Sequence, residues 1–132
     1  MKKDVAVEVA KAMVAHYGPM LGLDNWLVYV EYDKHLDRDV LAMVSPTEGR
    51  LSAVLTIGKS FRRLDYTGQL SAILHELLHC CHHRLTEQTR VVARAGIEDD
   101  SMYEMLFAGV RNEAEYMVDQ LSLALVEYLP EP

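Results

Sequence analysis

The stretch ILHELLHCCHH, residues 73–83, holds four of the chain's six histidines and both of its cysteines. At 3.6 residues per turn, each residue steps about 100° round a helix axis. With His75 set at 0°, His79 falls at about 40° and His82 at about −20°, so three imidazoles share one side. Leu70, Ile73, Leu74, Leu77, Leu78 and Cys81 gather roughly opposite, as the core face of an amphipathic helix. His75 and His82 are separated by about 10 Å along the axis, too far for both to reach one ion. A straight helix offers an ion two ligands one turn apart, and the pairs here are His75/His79 and His79/His83. Only the first pair encloses a glutamate. His75-Glu76-Leu77-Leu78-His79 is the pattern HExxH, in which two imidazoles hold zinc and the glutamate reaches the water that zinc activates. His82 and His83 are expected on the rim near the helix end, Cys81 in the core, and Cys80 turned away from His79.

Outward from this helix, residues 3–17 carry apolar residues at helical spacing, and Gly18-Pro19 is expected to stop that helix. WLVYVEY, residues 26–32, reads as a strand. Residues 40–44 are a second candidate strand, and SPTEG at 45–49 is turn chemistry. LSAVLTI at 51–57 alternates and pairs with the second strand as a hairpin. Asp65 or Thr67 caps the histidine helix, which is expected to end near Leu85. Residues 86–100 give no clear pattern. Ser101 with Glu104 forms a capping box for a last helix that runs to Leu129, with Gly109 as a point of bending. The expected fold is a single α+β domain over residues 1–132: an N-terminal helix, a small, mainly antiparallel sheet, the active-site helix and a C-terminal helix.

The chain has 132 residues, half of them apolar, and a formal net charge of −7. That length buries a core without disulfides or a structural metal, so a metal site here is expected to be functional. The acidic balance argues against a nucleic-acid partner. Adjacent Cys80 and Cys81 have no other cysteine to pair with, which fits a reducing compartment or buried thiols. The N-terminal segment lacks the apolar run of a signal peptide, and no stretch reaches the ~20 apolar residues of a membrane span. A soluble, cytoplasmic protein is expected.

Catalytic zinc takes three protein ligands and keeps one position open. RNEAEYMVDQL, residues 111–121, offers the third. Glu115 and Asp119 stand at i, i+4 on one helix face, with Ala114, Met117, Val118, Leu121 and Leu125 opposite. Two stacked carboxylates repel by a few tenths of a kcal/mol unless a cation or an N–H lies between them. Glu115 is therefore read as the zinc ligand. Asp119 is read as the acceptor of a zinc histidine's other ring N–H, fixing its tautomer. Glu113 is the rival ligand, but no acid follows it at the fourth position.

HExxH followed by a separate ExxxD helix resembles the gluzincin metallopeptidases, and the chain's size is similar to minimal single-domain gluzincins and zincin-like proteins of phages and prophages. NEAEYMVD also looks like that family's Asn-Glu-Ala, a register that would make Glu113 the ligand instead. The resemblance spans about a dozen residues. It implies a zinc-dependent metalloendopeptidase of zincin-like fold acting on a peptide or protein substrate. By motif, His75, His79 and Glu115 match the zinc ligands, Glu76 the general base and Asp119 the histidine-orienting aspartate. Tyr116, His82, His83 and His35 are candidate oxyanion donors, and the strand at 51–57 is a candidate sheet edge for a peptide. The alternatives are a catalytically inactive zinc-binding accessory domain, of the phage-derived kind that the resemblance implies, and a metal-free partner-binding domain using Met102, Met105 and Phe107. Oligomeric state is left open.

Overall fold

A computed structural model describes all 132 residues. Helix α1 spans Lys3–Met20, strands β1, β2 and β3 span Leu27–Tyr32, Ala42–Pro46 and Ser52–Ile57, and a short 3₁₀ turn covers Phe61–Arg63. Two long helices follow, α2 at Tyr66–Gly96 and α3 at Asp100–Tyr128. The class is α+β, as expected. No helix is long and apolar enough to cross a membrane.

Helix α1 buries Ala6, Ala10, Met13 and Tyr17, one stripe at i, i+4, i+7, i+11. Gly18-Pro19 does not stop it. Pro19 sits in the last turn, and the chain leaves the helix at Gly22, whose φ of 79° suits a residue without a Cβ. Leu23 N–H donates to Gly18 O at 2.9 Å and Gly22 N–H to Pro19 O at 3.1 Å, so the last carbonyls are satisfied in a Schellman closure.

The sheet order is β1-β3-β2. β2 and β3 form the expected antiparallel hairpin, with Ala42 opposite Ile57 and Pro46 opposite Ala53. β1 runs parallel to β3, from Leu27 opposite Ser52 to Tyr32 opposite Ile57. The sheet is therefore mixed rather than mainly antiparallel. The segment after β1 carries the chain past the central position, and β3 returns into the gap. This corrects a second expectation: residues 51–57 are the middle strand and offer no free edge. β2 is the open edge on the α2 side, displaced two residues from the expected 40–44 because Ser45 and Pro46 still pair before the turn.

Ala53, Leu55 and Ile57 of β3 meet Ile73, Leu74 and Leu77 of α2 in one core with α1 and Phe61. Leu125, Val126 and Leu129 at the end of α3 pack against that core, and the Tyr17 hydroxyl donates to Pro130 O at 3.2 Å. α2 starts at the Asp65 cap, whose carboxylate accepts from Gly68 N–H at 2.9 Å. It continues eleven residues beyond Leu85, through TEQTRVVARAG, which has no continuous apolar stripe. The stabilisation there is tertiary. α3 lies alongside, and Arg94 stacks 4.8 Å over the Tyr103 ring and pairs with Asp100; within α2 itself Arg90 adds an i, i+3 pair with Glu87 at 3.1 Å. α3 is capped by Asp99, which accepts from Met102 N–H at 2.8 Å, in place of the expected Ser101–Glu104 box.

Candidate metal centre

α2 lies between the sheet and α3, and its histidine face opens into a groove of about 980 Å³ bounded by β2, α2 and α3. The stripe of α3 turned toward α2 runs through Ala114, Val118 and Ser122, with Val118 fully buried. Met117 and Leu121, expected in that stripe, are each 42% exposed. The real contact face is thus rotated toward the acids. Glu115 and Asp119 border it, next to the imidazoles, instead of lying opposite.

His75 Nε2 and His79 Nε2 are 3.2 Å apart. The Glu115 carboxylate spans both, with Oε1 at 3.0 Å from His79 Nε2 and Oε2 at 3.3 Å from His75 Nε2. Asp119 Oδ1 lies 3.0 Å from the other nitrogen of His75, Nδ1. Glu113 is exposed on α3 and is not part of the cluster. The two imidazoles are mostly buried, while Glu115 and Asp119 keep more than half of their side-chain surface in solvent.

Glu76 is 8% exposed. Its Oε2 accepts the Val44 N–H of β2 at 2.8 Å, and its Oε1 faces His75 Nε2 at 3.9 Å. Burial pushes its carboxyl up to about 7, opposed by the Val44 N–H and reinforced by the charge on Glu115. Val44 N–H therefore points away from β3, and Pro46, two residues on, presents no N–H on that same edge. Burial lowers the pKa of His79, against the pull of Glu115, with His75 and His82 lowering it further.

His82 departs from its expected place. α2 does not end near it, and its ring joins the cluster. His82 Nε2 is 2.9 Å from His79 Nδ1, and His82 Nδ1 is 2.8 Å from Thr86 Oγ1. The readable signal was the spacing 79, 82, 86, which keeps one helix face for two turns. His82 and His83 line the groove, whereas Tyr116 and His35 lie outside it. Cys81, expected in the core, is exposed, and Cys80 is buried. Cys81 sits beyond the end of α1, where its thiol meets only Leu21 O at 3.6 Å. Phe107 is buried against Tyr103, with parallel rings 6.0 Å apart, so it does not join Met102 and Met105 on the surface.

Three donor groups converge, two imidazole Nε2 nitrogens and the Glu115 carboxylate, whose two oxygens face different rings. A tetrahedral zinc with bonds of 2.0–2.1 Å has ligand atoms roughly 3.3 Å apart. The Nε2···Nε2 distance of 3.2 Å fits that spacing, each Nε2 has its own Glu115 oxygen at 3.0 or 3.3 Å, and the donor set suits zinc chemically. No protein-family model, no curated protein and no solved structure matches this chain.

Proposed function

We propose that His75, His79 and Glu115 hold a zinc ion and that the protein is a zinc-dependent metallopeptidase of the gluzincin type, with a zincin-like fold. The observation that carries this reading is the convergence of the two Nε2 atoms, 3.2 Å apart, on the Glu115 carboxylate, one oxygen of which lies 3.0 Å from His79 Nε2 and the other 3.3 Å from His75 Nε2. Such an arrangement is repulsive without a cation or protons between them. When bound, zinc supplies Lewis-acid polarisation of a carbonyl and acidifies water toward ~7.

The chain's own residues do the rest. Asp119 accepts the Nδ1–H of His75, which leaves the Nε2 lone pair free for the ion. Glu76 acts as general base at Oε1, held by the Val44 N–H on its other oxygen. It takes a proton from the attacking water and passes it to the departing amine. β2 borders the groove through Ala42, Met43, Val44 and Pro46, with Val40 and Leu41 just before it, a wall for an extended peptide.

Hydrolysis of an unfolded protein substrate by the zinc-loaded chain tests the reading. Glu76→Gln is expected to keep zinc and lose at least about 100-fold in rate. Zinc retained by a wild type that cleaves nothing would contradict the peptidase and favour a zinc-binding accessory domain.

A further inference from the structure

We propose that His82 is a positioning residue for His79 and that Thr86 positions His82 in turn. The inference rests on the reading of His75, His79 and Glu115 as a metal site. A metal-binding imidazole needs its second nitrogen held, because that bond selects the tautomer and the ring plane. For His75 the holder is Asp119. His79 has no carboxylate on its Nδ1; that nitrogen meets His82 Nε2 at 2.9 Å. The two rings are inclined at 72° with centroids 5.1 Å apart, so the contact is edge-on and not stacked.

Every proton in the chain has a place. With His79 Nε2 free as a lone pair, His79 Nδ1–H donates to His82 Nε2. His82 Nδ1–H then donates to Thr86 Oγ1 at 2.8 Å, and the Thr86 hydroxyl donates to His82 O at 3.3 Å. The chain ends on a backbone carbonyl of the same helix, so it is closed within one rigid element. The two ligands are thereby held differently, one by an anion and one by a neutral ring. A neutral acceptor leaves His79 the weaker electron donor of the pair, and the two histidines are not interchangeable.

The test uses the full chain labelled with ¹⁵N. A scalar coupling between His79 Nδ1 and His82 Nε2 across the hydrogen bond is expected with and without zinc. In chelator competition, His82→Ala is expected to weaken zinc binding 10- to 100-fold. His82→Gln, whose amide oxygen replaces the ring acceptor, should recover most of that loss, and Thr86→Val should lose a smaller part. Absence of the coupling, or equal affinity in His82→Ala and wild type, overturns the proposal. A wild type that takes no zinc would sink the metal reading, while the coupling in the metal-free chain would still decide whether His82 holds His79. If His82→Ala fails to fold, the Gln and Val variants carry the comparison.

Discussion

Glu76 has two oxygens with two different neighbours, the Val44 N–H and the imidazole of His75. Its raised pKa has a consequence in metal-free protein. The folded chain holds the Glu76 proton more tightly than the unfolded chain, so its contribution to stability is complete below the ordinary value of 4.5 and is lost as pH rises through about 7. The Gln variant keeps an acceptor for Val44 N–H but cannot ionise. Relative to Glu76→Gln, chelated wild type is expected to lose about 3 kcal/mol between about pH 5 and about pH 8, read from urea midpoints. An equal pH dependence in both proteins would contradict the burial argument. The thiols give a second test at this scale. Cys80 is buried with its pKa pushed up to about 12, and Cys81 is exposed. One thiol is therefore expected to react with a disulfide reagent in native protein and two after denaturation; two fast thiols would be inconsistent with the fold. HExxH and the ExxxD spacing were legible at this scale because each is a local property of one helix. The exposure of Cys81 was not, since it depends on where α1 ends beside α2.

At the scale of elements, spacing identified α1, three strands and α2, and the acids of α3, while boundaries drifted where tertiary contacts override local pattern. The last eleven residues of α2 have no stripe to read because their partners lie on α3. Strand order was hidden for a different reason: alternation in residues 51–57 reports which face is buried, not which strands lie on either side. Val118 is the element-scale hinge of the account. It is fully buried between α2 and α3, three residues after Glu115 and one before Asp119. Val118→Ala should cost about 1–2 kcal/mol of stability and weaken zinc binding as well, by loosening the face that presents both acids. A stability loss with unchanged zinc affinity would show that α3's seating is not what brings the acids into reach. Asp99→Ala, which removes only the α3 cap some four turns away, is expected to cost about 1 kcal/mol and leave zinc affinity unchanged.

Over the whole molecule, the core of α1, the sheet and α2 is completed by the far end of α3, and the candidate site lies where α3 crosses α2. Two consecutive helices supply its donors, from positions 75 and 79 on α2 and 115 on α3, so an ion there would tie them together. Excess zinc is then expected to raise the melting temperature by on the order of 10 °C, reversed by chelator. The most direct measurement is elemental analysis of protein purified without chelator, for wild type, His79→Ala and Glu115→Ala. One equivalent of zinc in the wild type, lost in both variants, is the expected result. A metal-free wild type, or zinc that stays when Glu115 is removed, would contradict the account.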